Sequence, residues 1–216
     1  MKPPPDPTKQ NPAAYGSRTS FGDKTKARIY KTVDAPTAMG VFDFYDYDFS
    51  TALLAFYLSN PGPTSDYSIQ NDHFQKVVAT ADVQSKVTEA LVSITEQARR
   101  DPQLGVLREL TSDWLPAGPT EDGDVAYGIG HFSVAVGSDT VVRESADGLR
   151  AEIAYKVYVW DYYNFDTTTW QPFGNLKLNM ANEIGNHMRE LEEFGWARSF
   201  VARGQSASVE TRNQLL

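Results

Sequence analysis

The chain of 216 residues contains no cysteine, which excludes disulfides, thiolate nucleophiles and zinc–thiolate centres. It also has no apolar run approaching the roughly eighteen residues that mark a membrane-spanning helix, so none is expected. Residues 1–20 lack the apolar segment of a classical signal peptide. The HExxH, GxSxG, Walker and dinucleotide-binding motifs are missing as well. The common hydrolase, NTPase and dehydrogenase classes are therefore excluded.

Positive charge is scarce, because 20 Lys and Arg face 28 Asp and Glu and give a formal net charge of -8. Phosphate binding draws on clustered cations, so nucleic acid is excluded as the main partner. The hydrophobic fraction of 41% and the aromatic fraction of 12% are those of a folded globular protein. The length is sufficient for one substantial domain with its own core.

Three segments are predicted from composition. Residues 1–22, with prolines at positions 3, 4, 5, 7 and 12, form a stiff, poorly ordered leader or a linker to a delivery module. Residues 23–116 are mostly helical in pattern, and residues 117–216 are rich in strands and include a helix at 180–194. The two parts are expected to share one core and to form a single α+β domain, with a helical N-terminal half and a mainly antiparallel sheet in the C-terminal half.

Hydrophobic periodicity predicts the individual elements. Helices are expected at Ser50–Leu58, with Asp48 or Ser50 as the cap, at Asp82–Arg100, at Leu104–Leu110 and at Met180–Phe194, where Gly195 ends the helix. Strands are expected at Ala27–Val33, Tyr127–Val136, Thr140–Arg143, Leu149–Trp160 and Trp196–Arg203. Turns are expected at Gly137–Asp139 and Asp147–Gly148, and the tail after Gly204 is expected to fray.

Candidate site residues follow the long strand that ends at Trp160. The segment Asp161–Asp166 contains two acids, one amide and three aromatic rings. Such polar groups are costly to bury without partners, so we expect the segment at a rim or cleft. One interpretation is a small acidic site formed by Asp161, Tyr163, Asn164 and Asp166, which holds a hard cation at Asp161 and Asp166 or acts as a general base on water. In the other interpretation, the polar residues only end the strand and the rings only pack.

His131 is the best acid–base candidate among the three histidines, because it is predicted to lie in the same sheet as the site strand. A half-exposed histidine without a catalytic role is the alternative. The segment Asp43–Asp48 repeats the order of acids and rings found in Asp161–Asp166. It could join the second segment in a metal site, or form an exposed acidic edge over tucked aromatics.

The run Val157–Asp166, followed by an amphipathic helix and a closing strand, resembles the C-terminal part of colicin M-like bacteriocins. It also looks like the toxin-like domains of type VI secretion effectors. Asp161 and Tyr163 match the family's Asp-x-Tyr-Asp pattern, whereas Asn164 replaces its second aspartate and Trp170-Gln171 replaces its His-Arg. The resemblance covers about residues 149–203 and implies magnesium-dependent hydrolysis of lipid II.

The resemblance also implies an antibacterial effector that meets a cognate immunity protein. Such a protein is made in the bacterial cytoplasm without a classical signal peptide, and is secreted or delivered into the periplasm of a target cell. The missing His-Arg pair keeps a second hypothesis open, a non-catalytic interaction module. Its expected contact anchors are exposed aromatics, namely Trp160, Tyr162, Tyr163 and Trp170.

Overall fold

The computed structural model describes the chain except for residues 119–120 and 167–175, and its last helix has described side chains only from Asn182 onward. The fold is of the α+β class, with three α-helices before the first strand and a mixture of helices and strands after it. The described helices are α1 (Phe21–Ile29), α2 (Ala35–Phe44), α3 (Asp48–Leu58), α4 (Asn71–Ala79), α5 (Ala81–Arg100), α6 (Gly123–Gly128) and α7 (Leu176–Glu193). A π-helical turn, Tyr30–Asp34, joins α1 to α2.

The described strands are β1 (Asp66–Ser68), β2 (Leu107–Thr111), β3 (Leu115–Ala117), β4 (Phe132–Ser145), β5 (Gly148–Tyr163), β6 (Phe200–Gln205) and β7 (Glu210–Leu215). They form one sheet in the order β1-β6-β5-β4-β2, while β3 pairs with β4 and β7 pairs with β5. The pairing of β1 with β6 is parallel, so the sheet is mixed rather than mainly antiparallel as expected. Strands β1 and β2 precede residue 117, so the segment predicted to be helical also contributes to this sheet.

The long hairpin of β4 and β5 is the centre of the sheet, and its register runs from Ser133 opposite Trp160 to Ser145 opposite Gly148. The predicted turn at Asp147–Gly148 is confirmed, since the two strands meet there. One face of β5 carries Ile153, Val157 and Val159, which belong to the main hydrophobic core. Burying such aliphatic side chains stabilises the fold by about 1.5–3 kcal/mol each.

Helix α5 supplies much of the other side of this core. Six apolar residues that recur at helical spacing are all buried, namely Val83, Val87, Ala90, Leu91, Ile94 and Ala98. The helix predicted at Met180–Phe194 is also confirmed, although α7 starts earlier, at Leu176. Gly195 follows it with φ +76, a backbone conformation that glycine adopts without steric cost.

The N-terminal leader lies against the face of the sheet that points away from this core. Its main chain crosses β4 so closely that a Cβ atom at Gly137 would overlap the carbonyl oxygen of Lys2. Further along, the indole Nε1 of Trp114 donates a hydrogen bond of 2.9 Å to the carbonyl oxygen of Pro5. The division of the chain into segments 1–22, 23–116 and 117–216 stays a prediction.

Two short elements were predicted with the wrong type. Residues Ala27–Val33 are helical instead of extended, because Ser20 and Asp23 form a reciprocal capping box that starts α1. Leu104–Leu110 was expected to be a helix, but β2 occupies Leu107–Thr111 and pairs with β4.

Three further predictions differ from the observed strands. The turn expected at Gly137–Asp139 lies inside β4, so the strand expected at Thr140–Arg143 is a continuation of β4 and not its partner. The last predicted strand begins later, at Phe200. The tail expected to fray contains β7, which pairs with Arg150–Tyr155 of β5.

Candidate functional site

Asp161 lies near the end of β5 on the face that packs into the core, opposite Ala202 of β6. Alternation along the strand puts it between Val159 and Tyr163, and its side chain is only 7% exposed. No ion pair to Asp161 exists within the described part of the chain. Burial therefore raises the pKa of Asp161 well above its usual value, and only the backbone N–H of Tyr162 acts in the opposite direction. The carboxyl group keeps its proton over a wider pH range than an exposed aspartate.

A cleft of about 540 Å³ opens at this end of the strand. Every sequence-predicted site residue contributes to its lining, namely His131, Asp161, Tyr163, Asn164 and Asp166. Further lining comes from residues 126–130, which include the end of α6, and from the leader through Pro7, Thr8, Gln10 and Asn11. The structure thus brings the predicted residues together, while their catalytic and metal-binding roles stay predictions.

The five residues differ in how they are held. Tyr163 is buried and stacks on Phe200 with ring centroids 4.9 Å apart, and burial, followed by the nearby Asp161, raises its pKa. The Asn164 amide nitrogen donates to the carbonyl oxygens of Gln10 at 3.2 Å and Asn11 at 3.1 Å. These contacts fix Asn164 against the leader and leave Tyr163 as part of the packed wall.

Asp166 and His131 are exposed at the rim of the cleft. His131 was expected inside a strand, but β4 begins only at Phe132, so His131 belongs to the connection between α6 and β4. Gly130 precedes it with φ +50, a left-handed conformation that suits glycine. The imidazole is therefore presented by a tight turn and is accessible to solvent.

Helix α6 is fixed in place by two aspartates. The Asp122 side chain accepts a hydrogen bond from the backbone N–H of Val125 and so caps α6. The Asp124 carboxylate accepts from the backbone N–H groups of Phe49 at 3.2 Å and Ser50 at 2.8 Å. Asp124 therefore caps α3, where Asp48 or Ser50 had been expected as the cap, and it ties α6 to that helix.

No group of three or more His, Asp or Glu side chains is arranged to hold a metal ion in the described part of the chain. The Asp43–Asp48 segment does not join Asp161 and Asp166, because none of its acids lines the cleft. Its rings instead form an aromatic cluster with Tyr127 of α6, and Tyr47 stacks on Tyr127 with centroids 5.9 Å apart. The acids of the segment are exposed, as expected for an acidic edge, but the rings of Phe44 and Tyr45 are exposed too and are not tucked beneath it.

The expected contact anchors were wrong for Trp160 and Tyr163, since both side chains are buried. Tyr162 is half-buried, with the Lys9 ammonium 5.3 Å from its ring centroid. Trp170 lies outside the described residues, as do Gln171 and the three threonines at 167–169. The exposed aromatics of the described chain lie elsewhere, at Tyr15, Phe21, Phe44, Tyr45 and Tyr127.

Sequence reasoning missed the residues by which the leader is attached. Asp6 accepts two hydrogen bonds of 2.6 Å from the guanidinium of Arg203, and Trp114 binds the main chain at Pro5. No local sequence pattern signals this attachment, because Asp6 and Arg203 are far apart in the chain.

The sequence matches no protein-family model and no curated protein. Among solved structures, the chain is similar to that of PaeM, a colicin M-like bacteriocin produced by Pseudomonas aeruginosa. The two proteins are 13% identical, and the match covers 76% of this chain and 50% of that chain with a TM-score of 0.43. The chain thus matches about half the length of that protein. The predicted resemblance to colicin M-like bacteriocins is confirmed as a weak and partial one.

Within the part of the chain that the structure describes, none of the helices combines the length and the hydrophobicity needed to cross a lipid bilayer.

Proposed function

We propose that this chain is an antibacterial, toxin-like effector domain that hydrolyses a phosphate-containing cell-envelope precursor, such as lipid II. The observation that carries the proposal is the buried Asp161 carboxyl group, which lines one cleft with His131 and Asp166. The Asp-x-Tyr match at Asp161 and Tyr163 supports the same class of activity.

The acid–base roles follow from the two environments in the cleft. Asp161, whose pKa burial raises, is suited to donate a proton to the oxygen of a leaving group. His131 is exposed, and its imidazole can accept a proton from an attacking water molecule. Tyr163 packs beside Asp161 and helps to exclude water from it, while Asn164 positions the rim against the leader.

Magnesium fits this cleft only as a sparsely ligated ion. Mg²⁺ needs as few as one or two carboxylates when water and substrate phosphates complete its shell. Asp161 and Asp166, which line the same cleft, are the protein ligands that we propose. Asp161 would bind the ion only as the deprotonated carboxylate, so this role is an alternative to its role as proton donor. Once bound, the ion would neutralise negative charge on the phosphate groups of the substrate.

Delivery and protection belong to the same proposal. The leader would connect the domain to a delivery module, for example one of a type VI secretion system, and the producing cell would be protected by a cognate immunity protein. The action would take place in the periplasm of the target cell.

A second candidate function is a non-catalytic interaction module, and the exposed aromatic surface favours it. Phe44 is 80% exposed, Tyr45 is 52% exposed and Tyr127 is 58% exposed. Large rings left in water are typical anchors of a protein interface. This function predicts that replacing Tyr45 and Tyr127 together by alanine abolishes partner capture, whereas Asp161→Asn leaves it intact.

Expression of the chain in the cytoplasm or the periplasm of a susceptible bacterium tests the two functions. The hydrolase predicts growth arrest with periplasmic targeting, and loss of the arrest in Asp161→Asn and in His131→Gln. The matched control is Asp147→Asn, which changes an aspartate in the exposed turn between β4 and β5. Equal growth of the wild type and Asp161→Asn in both compartments would count against the hydrolase and leave the interaction module.

A further inference from the structure

A groove of about 450 Å³ lies on the face of the sheet that points away from the core. Its lining includes three aromatic and two cationic side chains, namely Trp114, Tyr158, Trp160, Lys156 and Arg203. Pro3 of the leader is part of the same lining. Aromatic grooves of this kind are suited to extended, proline-rich segments, which are already close to their bound conformation.

The leader makes directional bonds along this groove. The Trp114 indole donates to the carbonyl oxygen of Pro5 at 2.9 Å, and the Tyr158 hydroxyl donates to that of Met1 at 3.3 Å. A polyproline segment has no internal hydrogen bonds, so its carbonyl oxygens are free to accept such donors.

Asp6 adds a charged contact next to Pro5. Its carboxylate accepts two hydrogen bonds from Arg203, and Arg203 also donates to Asp66 at 2.7 Å. A two-bond contact between a guanidinium and a carboxylate fixes both position and orientation. The sheet face therefore contacts two features of the leader, its proline-rich main chain and the carboxylate of Asp6.

The burial of side chains on this side of the sheet also indicates that the leader covers it. Tyr158 and Trp160 are each only 5% exposed, although they lie on the face opposite Val157 and Val159 of the core. The leader that follows the groove continues into the lining of the cleft through Pro7, Thr8 and other residues up to Asn11.

We propose that the sheet face around this groove is a docking site for a proline-rich, acidic segment, that residues 3–7 of the chain bind there reversibly with Pro3 in the wall of the groove, and that the docked leader walls one side of the cleft. Release of the leader would widen access to Asp161 and the rim residues. The inference goes beyond the proposed function and holds whether or not the cleft is catalytic.

Trypsin cleavage of the full chain after Lys9 tests the docking. Lys2 precedes a proline and resists trypsin, whereas Lys9 precedes Gln10 and is cleavable once the leader leaves the surface. Cleavage then tracks the population of the released state. We expect cleavage, followed by mass spectrometry, to become about tenfold faster in Asp6→Asn, which loses the charged contact. Trp114→Phe should act in the same direction, because it keeps a ring but removes the N–H donor.

Gly137→Ala supplies a variant that removes no polar contact of the leader. Its methyl group would overlap the carbonyl oxygen of Lys2, so it should also accelerate cleavage after Lys9. Asp147→Asn is the matched control and should cleave like the wild type. Circular dichroism verifies that each variant is folded. The docking is refuted if wild-type Lys9 is cleaved as fast as in a free peptide of residues 1–18, or if none of the three variants changes the rate.

Discussion

The carboxylate of Asp124 lies 2.8 Å from Nζ of Lys76 and joins three helices through one side chain. Asp124 belongs to α6, Lys76 to α4, and the same carboxylate caps α3. Burial alone would raise the pKa of Asp124, but the Lys76 ammonium and the N–H groups of Ser50 and Phe49 together lower it. The charged carboxylate is thus the form that the fold stabilises, and with it the helix that lines the cleft.

Replacing Asp124 by alanine should destabilise the protein by about 2–4 kcal/mol, because a helix cap and hydrogen bonds to a charged group are lost together. Asp124→Asn should cost less, since its side-chain oxygen can still accept one backbone N–H. Urea unfolding measures both values. A loss below about 0.5 kcal/mol in Asp124→Ala would contradict the capping role.

The lowered pKa of Asp124 determines how its contribution to stability depends on pH. The native state holds the proton less tightly than the unfolded chain, whose value is 3.8. The stabilisation is therefore present above that pH and is lost as the pH falls through the lower, native pKa. The difference in free energy of unfolding between wild type and Asp124→Asn, measured in urea, should therefore shrink as the pH is lowered through the native pKa.

Asp161 has the opposite pH dependence, because burial raises its pKa above 3.8. The native state holds this proton more tightly than the unfolded chain. The associated stability is complete below pH 3.8 and is lost as the pH rises through the native pKa. Asp161→Asn removes this loss, so at neutral pH it should melt higher than the wild type, by about 2–4 °C for each kcal/mol regained.

Calorimetry across the pH range measures this effect. The melting temperatures of wild type and Asp161→Asn should approach each other as the pH falls below 3.8. Asp147→Asn, at an exposed turn, should follow the wild type throughout. A variant that is less stable than the wild type at neutral pH would mean that the Asp161 carboxylate has a partner and that the acid role is wrong.

Glu192 of α7 is a buried carboxylate that holds the chain leading into β6. It accepts hydrogen bonds from the backbone N–H of Ser199 at 2.9 Å and from the hydroxyl of that residue. Glu192→Ala leaves both donors buried and unpaired, so we expect a loss of about 2–4 kcal/mol. The neighbouring Glu193 pairs with Arg18 nearer the surface, and Glu193→Ala should cost less than about 1 kcal/mol. Equal losses in urea unfolding would contradict the assignment.

The elements that the sequence predicted well are those whose pattern is local and long. In α5, six apolar residues recur with helical spacing, and one face of the helix can bury them all. β5 continues beyond the predicted end at Trp160 to Tyr163, and alternation in this continued strand places Asp161 and Tyr163 on one face. In both elements, the face that the local hydrophobic pattern predicts to be buried is the face that packs into the core.

The failures arose where distant parts of the chain decide the structure. Gly137 suggests a turn locally, yet it lies within β4 where the leader crosses, and a glycine suits such a close approach. The polar residues of β7 give no strand signal, because this strand is largely exposed and is stabilised by backbone pairing with β5. The leader contact between Asp6 and Arg203 spans almost the whole chain, so no local pattern predicts it.

Magnesium titration followed by thermal melting tests the proposed metal ligands. An ion that binds only the native state raises stability by RT ln(1 + [Mg²⁺]/Kd), about 2.7 kcal/mol at a concentration of 100 Kd. The rise should disappear in Asp161→Ala and in Asp166→Ala and remain in Asp147→Asn. Since Asp161 must lose its proton to bind a cation, the effect should grow as the pH rises. If magnesium does not raise the melting temperature of the wild type at any pH, these two carboxylates do not bind the ion. The acid–base roles of Asp161 and His131 are then tested by the growth assay alone.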